Sequence, residues 1–272
     1  MSGVPDPRIA HGDRRDRPRQ SRTPAIPEAG GALAAARRRA LALAGPLTRP
    51  VGSLIAVRTR QPDVVLTFDD GPEPGGTDRV LSALSEHGAS ATFFVLVDRA
   101  RRHRSLVRDV LADGHEIGLH GMDHRRLSRL PSAAVRTLLA SATAQLEDLL
   151  GAPVRWFRPP YGAQTPAVWR AARRQRLTSV LWGPCAWDWL DRPPELLAAQ
   201  ALRGLSRGSV LLAHDGHAGP EDGADDGPRP AFDRGDLVRR VLAGLDERGL
   251  RGRSLGDALV TGEAQTAPWF LR

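Results

Sequence analysis

From about residue 59 onward, short apolar runs alternate along the chain with longer stretches of helix length. The apolar runs lie at 64–68, 91–97, 116–120, 154–157, 178–182 and 209–213, and a seventh candidate lies near 253–260. The helix-length stretches lie at about 78–87, 103–113, 132–150, 165–175, 194–203 and 236–248. Strands that alternate with helices favour parallel βαβ units. The pattern therefore predicts an α/β fold in which about seven parallel strands form an incomplete barrel.

The first 58 residues lack this alternation and are interpreted as an arginine-rich tail that precedes a single domain over 59–272. Residues 1–30 contain few bulky apolar side chains, which predicts disorder, and 31–44 suit a short helix. The arginines at 37–39 are similar to a twin-arginine leader, but Pro46 interrupts the apolar stretch that follows. A signal peptide needs a continuous apolar region of about 7–15 residues, so a cytoplasmic location is favoured over export.

Composition narrows the classes of function. The net charge of +8 lies wholly in residues 1–60, because the remaining 27 arginines are balanced by 27 acidic residues. A nucleic-acid-binding domain would carry that charge on its folded part, so no nucleic-acid partner is expected.

No apolar run approaches the ~18 residues of a membrane span. Cys185 is the only cysteine, which excludes an intrachain disulfide, and a monomer is favoured. An acidic segment over 216–235 is predicted to be a lid, a binding loop or a disordered insertion.

Two adjacent carboxylates, Asp69 and Asp70, follow the first apolar run and precede a Gly-Pro turn. Such a pair could be a solvated turn. In a partly dry cleft, however, adjacent carboxylates repel each other and require a cation or a shared proton. The pair is therefore a candidate for metal binding or acid–base chemistry.

A pair of histidines, His120 and His124, follows the third apolar run. Residues four apart share one face of a helical turn, so both rings could reach one ion. Two histidines and one carboxylate form a three-ligand set that leaves a fourth position open for water. Zinc is favoured for this set, although cobalt and nickel accept the same ligands.

Three further motifs follow apolar runs: Phe157-Arg158-Pro159-Pro160-Tyr161-Gly162, Trp187-Asp188-Trp189 and Leu212-Ala213-His214-Asp215. Each has a structural alternative: a rigid Pro-Pro loop, core tryptophans and a core histidine. A fixed backbone is nevertheless what aiming an arginine requires, and tryptophan suits stacking on sugar rings. In barrels of parallel strands, the C-terminal strand ends share one face, which carries the active site. Five such motifs therefore predict one active site.

In this order the motifs resemble the polysaccharide deacetylases, which form carbohydrate esterase family 4 and are also called the NodB-homology domain. The resemblance covers roughly residues 62–260. It implies a distorted (β/α) barrel and metal-dependent hydrolysis of an acetyl group on a carbohydrate, with an acetylated carbohydrate as the substrate.

The resemblance also implies roles for individual residues. Asp69 would be the catalytic base, oriented by Arg158, and Asp70, His120 and His124 would bind the metal. His214 would be the general acid, paired with Asp188. Tyr161 would donate a backbone N–H to the oxyanion. The substrate side of the pocket would further include Pro160, Trp187 and Trp189.

Two positions depart from the family pattern. Gly121 stands where the family usually has Ser or Thr, and Cys185 stands where an Asp often opens the Asp-Trp motif. Neither belongs to the implied metal ligands, base or acid, so we expect altered substrate preference rather than lost activity. Removal of an N-acetyl group from an aminosugar is the favoured function. An O-acetyl carbohydrate esterase and a catalytically impaired carbohydrate-binding protein on the same scaffold are the alternatives.

Overall fold

The computed structural model describes residues 52–224 and 227–271. In this part the strands are Ser53–Arg58 (β1), Asp63–Asp69 (β2), Thr92–Leu96 (β3), Glu116–Gly121 (β4), Trp156–Phe157 (β5), Thr178–Ser179 (β6), Val210–His214 (β7), Arg251–Arg253 (β8) and Glu263–Ala267 (β9). The α-helices are Thr77–Glu86 (α1), Val97–Arg102 (α2), Arg104–Ala112 (α3), Ser132–Leu150 (α4), Pro166–Arg174 (α5), Pro194–Leu202 (α6), Arg234–Asp246 (α7) and Leu255–Thr261 (α8).

Seven strands form one parallel sheet in the order β6-β5-β4-β3-β2-β7, with β8 also paired to β2. Because Val65 of β2 pairs with Val210 of β7 and also with Arg253 of β8, these two strands lie on opposite edges of β2. On its edge β8 is next to β3, which pairs with Thr67–Asp69. All seven residues of β2 are buried, as expected where helices cover both faces of a parallel sheet. The predicted α/β fold of about seven parallel strands is confirmed.

The gap between the two outer strands of this sheet is bridged by β1. Leu54 forms a parallel bridge to Val180 beside β6, and Ala56 an antiparallel bridge to Ser209 beside β7. On its other side β1 pairs antiparallel with β9. The seven-stranded sheet is thus a distorted barrel, and β1 completes it as an eighth strand between β6 and β7.

Helix ends follow local sequence signals. Thr165 caps α5 by accepting a hydrogen bond from the Val168 N–H at 3.3 Å, and Asp233 caps α7 by accepting one from Gly235 at 2.7 Å. Such caps typically contribute about 1 kcal/mol each. At its other end α4 stops at Gly151, which adopts a left-handed conformation with φ 64°.

The core lies between the sheet and its helices. Its largest buried apolar side chains include Phe93 and Phe157, both 0% exposed. Burial of each such side chain contributes roughly 1.5–3 kcal/mol. The strands that carry the candidate site are therefore held firmly by the core behind them.

Three boundary expectations need correction. Residues 53–58 were assigned to the tail, but they form β1, since they bury Leu54 and Val57 and hydrogen-bond to both ends of the sheet. The seventh run was placed near 253–260, whereas the strand ends at Arg253 and Leu255–Thr261 is helical, capped by Ser254. The apolar run at 91–97 predicts a strand through Val97, whereas the strand ends at Leu96 and Val97 begins the helix α2, which the pattern did not predict.

The predicted disorder over 1–30 and the predicted helix over 31–44 lie outside the described residues. Within the described part of the chain, no helix has both the length and the apolar character that a bilayer crossing requires.

Candidate active site

The polar side chains predicted at the strand ends converge on one end of the barrel. Asp69 is the last residue of β2 and pairs in register with His214, the last residue of β7. His120 lies near the end of β4, and Arg158 directly follows β5. Because parallel strands present their C-terminal ends on one side, residues distant in sequence become neighbours here.

Asp70, His120 and His124 form a compact cluster of three buried side chains, whose ligand atoms all lie within 4.8 Å of one another. The Asp70 Oδ1 atom lies 3.4 Å from His120 Nε2 and 3.3 Å from His124 Nε2. Oxygen and imidazole ligands of this kind suit a catalytic divalent metal.

The electrostatics of the cluster support this fit. Asp70 Oδ1 is buried and accepts no hydrogen bond from the described part of the chain, so a bound cation would satisfy an otherwise costly group. Burial raises the pKa of the Asp70 carboxyl, but positive charge on nearby histidines, His124 foremost, lowers it more. The net pKa of Asp70 lies well below its ordinary value. The carboxylate is thus ionised and ready to bind a metal.

The orientation of His120 is fixed by its second nitrogen, since Nδ1 lies 2.8 Å from the Arg158 carbonyl oxygen. When Nδ1–H donates to that carbonyl, Nε2 is left with its lone pair towards Asp70. Metal-binding histidines commonly hold their second nitrogen in this way.

The expectation that the two histidines share a helical turn is wrong. His120 lies in β4, and His124 lies in the irregular segment after it. Their rings meet, with centroids 5.3 Å apart, because the chain turns at Gly121, which has φ 141°. A Cβ at Gly121 would lie 2.8 Å from the Asp123 carbonyl oxygen. The departure of Gly121 from the family pattern thus accompanies a backbone conformation that favours glycine.

Asp69 is held by a buried ion pair with Arg158. The Arg158 Nη1 group donates to Asp69 Oδ1 at 2.7 Å and to Thr67 Oγ1 at 2.9 Å. Arg158 is 0% exposed and lies 4.3 Å from the centre of the Phe94 ring. The pair leaves Asp69 Oδ2 on the side of the metal cluster, 3.9 Å from His120 Nε2.

On the opposite side of the pocket, His214 is paired with the buried carboxylate of Asp188. Asp188 Oδ1 lies 2.7 Å from His214 Nδ1, and Asp188 Oδ2 accepts the His214 backbone N–H at 2.7 Å. Burial lowers the pKa of the His214 imidazole, but the Asp188 charge opposes this and raises it to about 9. His214 is therefore a protonated group at neutral pH, as a general acid must be.

A pocket of about 320 Å³ opens over these groups. Seven of the predicted site residues line it: Asp69, Asp70, His120, His124, Tyr161, Trp189 and His214. Among the described residues, Arg158, Asp188, Pro160 and Trp187 do not line it. Arg158 is hydrogen-bonded to Asp69, and Asp188 to His214. Trp187 packs against Trp189 with ring centroids 5.2 Å apart.

Aromatic rings form two walls of the pocket. Tyr161 adopts a left-handed conformation with φ 62° and packs its ring edge-on against His124, at a centroid distance of 4.4 Å. Trp189 is 37% exposed and packs edge-on against His214 at 5.8 Å. An exposed indole beside an acid–base group suits stacking against an apolar sugar face.

Arg234, which no sequence motif pointed to, contacts the Asp188–His214 pair. Its Nη1 group donates to the His214 carbonyl oxygen at 2.9 Å and to Asp188 Oδ2 at 3.2 Å. Asp215 ends the motif Leu212-Ala213-His214-Asp215, which by itself predicts no role for it. Its carboxylate accepts hydrogen bonds from the Thr77 hydroxyl at 2.6 Å and the Gly71 N–H at 3.2 Å, which fixes the turn after Asp70.

Arg99 was also missed, and it joins the acidic segment to the metal cluster. This arginine is 4% exposed and lies in α2. It donates to Asp222 Oδ2 at 2.5 and 3.0 Å, to the His217 carbonyl oxygen at 2.7 Å and to the Asp70 carbonyl oxygen at 3.3 Å. The described part of the acidic segment is thus an ordered pocket wall. The excess of acidic residues over 216–235 indicates that this segment needs a cation. The sequence around residue 99 does not show that Arg99 is that cation.

Arg99→Met is expected to lower the free energy of unfolding by about 3 kcal/mol, because it removes the buried cation beside Asp222 and leaves the half-exposed Arg102 as the remaining partner of that carboxylate. Denaturant titration of the full chain measures this change. Arg101→Met is the matched control, because Arg101 lies on the same helix, is exposed and, within 52–224 and 227–271, donates a side-chain hydrogen bond only to Gln145 Oε1 at 3.0 Å. Equal effects of the two substitutions would contradict the structural role of Arg99.

Cys185, the second departure, lies outside the pocket wall. Burial raises the pKa of its thiol, and its Sγ accepts the Trp187 N–H at 3.4 Å. A protonated, hydrogen-bonded thiol is a packing residue rather than a nucleophile.

Comparison with known proteins agrees with this geometry. A family model described as Polysaccharide deacetylase matches residues 56–180. A chitooligosaccharide deacetylase from Azorhizobium caulinodans is 35% identical over 167 residues, which cover 61% of this chain and 80% of the relative. A peptidoglycan-N-acetylglucosamine deacetylase from Bacillus cereus is 34% identical over 158 residues, which cover 56% of this chain and 72% of the relative.

Two solved structures share the fold. A family 4 carbohydrate esterase from Streptomyces lividans, in complex with acetate, is 25% identical with a TM-score of 0.62, covering 78% of this chain and all of that one. A family 4 pseudoenzyme from Bacillus anthracis is 21% identical with a TM-score of 0.65, covering 75% and 68%. The fold, the strand-end residues and the sequence relatives agree, and the chain belongs to the polysaccharide deacetylase family.

Proposed function

We propose that this protein is a metal-dependent hydrolase that removes the N-acetyl group from an aminosugar-containing glycan or conjugate, with zinc as its metal. One observation carries the proposal: a single pocket combines the Asp70, His120 and His124 cluster with a carboxylate on one side and a protonated histidine on the other. The relatives named as chitooligosaccharide and N-acetylglucosamine deacetylases support an N-acetyl substrate.

In the proposed reaction each pocket residue has a distinct task. Asp69, oriented by Arg158, accepts a proton from the attacking water. A bound divalent metal would supply a Lewis acid that activates water at neutral pH. The Tyr161 backbone N–H donates to the oxyanion, and one such donor is typically worth about 3 kcal/mol. His214 then donates its proton to the leaving amine, while Asp188 stabilises the charged imidazole.

The presence of both an acid and a base favours an enzyme over a sugar-binding protein. Binding alone requires neither the buried Asp69–Arg158 pair nor the buried Asp188–His214 pair, and buried ion pairs are weak contributors to stability. Their arrangement on opposite sides of the metal cluster is best explained by proton transfer in both directions.

The proposal is tested by measuring the acetate that the zinc-loaded full chain releases from two substrates, N-acetylated chitotetraose (called chitotetraose below) and acetylated xylan. We expect release from chitotetraose that a chelator abolishes and added zinc restores; parallel loading with cobalt and nickel tests the metal. Release from acetylated xylan alone would instead indicate an O-acetyl esterase. Binding of chitotetraose without acetate release would indicate a carbohydrate-binding protein.

The pH dependence of kcat tests the acid. His214 must be protonated to donate, so turnover falls as the pH rises through its pKa of about 9. Asp188→Asn removes the charge that raises this pKa while burial still lowers it. We expect the basic limb of the profile to move down by at least about one pH unit. An unshifted limb in this variant would show that another group is the acid.

A further inference from the structure

One cation in the pocket has no role in the proposed reaction. Arg126 is half-buried, lines the pocket and follows the metal-cluster residue His124 by two positions. Its guanidinium carbon lies 4.2 Å from the centre of the Tyr161 ring. Among the residues that the structure describes, this guanidinium has neither an ion pair nor a hydrogen bond.

The other charged side chains that are assigned to the site have ionic partners among the described residues. Asp69 is paired with Arg158, and Asp188 with His214 and Arg234. The remaining carboxylate, Asp70, belongs to the cluster that fits a divalent cation. Arg126 is therefore a pocket cation without an ionic partner among the described residues, and a bound metal would make the pocket still more attractive to anions.

The contact with Tyr161 does not account for Arg126 fully. A cation–π contact uses the charge of the guanidinium but satisfies none of its five N–H donors. These donors form a planar fork that matches carboxylate and phosphate oxygens. The Tyr161 ring centroid lies 4.2 Å from the Arg126 guanidinium carbon and 4.4 Å from the His124 ring centroid. The guanidinium carbon therefore lies within about 8.6 Å of the His124 ring centroid. An anion bound there would lie close to the acetyl group being hydrolysed.

We propose that Arg126 is a specificity-determining residue that binds an anionic substituent, a carboxylate or a phosphate, on the acetylated aminosugar. This inference rests on the proposed deacetylase function and narrows its substrate class from acetylated aminosugars in general to acidic ones.

The test compares kcat/KM of the zinc-loaded full chain on three probes: neutral chitotetraose, its C6-carboxylated form and N-acetylglucosamine 6-phosphate. The last two distinguish a carboxylate from a phosphate as the preferred anion. We expect the wild-type protein to prefer at least one anionic probe. In Arg126→Gln the ratio of anionic to neutral kcat/KM should fall roughly ten- to a hundredfold, and Arg126→Lys should retain part of the preference.

Arg125→Gln is the matched control, because Arg125 is exposed, pairs with Asp123 and does not line the pocket. Its ratio should stay within about twofold of wild type. Equal losses on all three probes in Arg126→Gln, or no anionic preference in the wild type, would overturn the inference and leave the deacetylase function standing.

If no probe releases acetate, the proposed function fails, and calorimetric titration with the same probes still decides the role of Arg126. Tighter binding of an anionic probe that Arg126→Gln abolishes would then support it, and equal binding of all three probes would contradict it.

Discussion

Asp69→Asn is expected to lower kcat for acetate release by roughly a hundredfold to ten-thousandfold while metal remains bound, because general-base catalysis contributes about that much and the amide cannot accept a proton. Asn keeps the shape of the side chain and can still accept the Arg158 hydrogen bond, so the barrel should fold normally. Steady-state kinetics, with the metal content of the same sample, measure the effect.

The control for this substitution is Asp109→Asn, an equivalent change at an exposed position of α3, which should leave turnover unchanged. If Asp69→Asn turns over nearly as fast as this control, Asp69 is not the general base. Loss of metal along with turnover would instead place Asp69 among the ligands, an outcome that the 3.9 Å distance to His120 Nε2 makes worth measuring.

Asp70→Asn is expected to abolish both metal binding and turnover. The substitution removes the negative charge from the cluster and leaves only the two imidazoles as strong ligands, whereas a catalytic zinc site uses three protein ligands. Elemental analysis after dialysis should give close to one metal per wild-type chain and almost none in the variant.

The matched control is again Asp109→Asn, which should retain its metal. The pKa of Asp70 lies well below its ordinary value, because positive charge on the neighbouring histidines outweighs burial, so its carboxylate stays charged throughout the neutral range. Full metal content in Asp70→Asn would show that the Asp70, His120 and His124 cluster is not the metal site.

Much of the site could be anticipated from the sequence, because several of its key side chains end or directly follow an apolar run. Asp69 and His214 are examples: the runs 64–68 and 209–213 become adjacent parallel strands, and both residues reach the same face in register. This prediction needs only the period of a buried strand and the shared direction of parallel strands, both of which are local or topological properties.

Other features depended on contacts between segments far apart in sequence. Ser53–Arg58 reads as the end of a polar tail, yet it forms a strand because the open edges beside β6 and β7 need a partner. Arg99 is one of many arginines in the chain, and only the fold brings Asp222 against it. Because arginine is so abundant in this chain, composition does not distinguish the buried Arg99 from the exposed arginines.

Local sequence patterns are enough to identify the alternation of strands and helices, the carboxylate pair, the histidine pair and the order of motifs that is typical of the family. The folded chain was needed to show how Gly121 turns His124 towards Asp70, which arginines are paired, and that Arg126 has no ionic partner among the described residues. The difference arises because periodicity and turn preference act between near neighbours. The pairing of buried charges depends instead on strand register and barrel curvature, which the whole chain sets together.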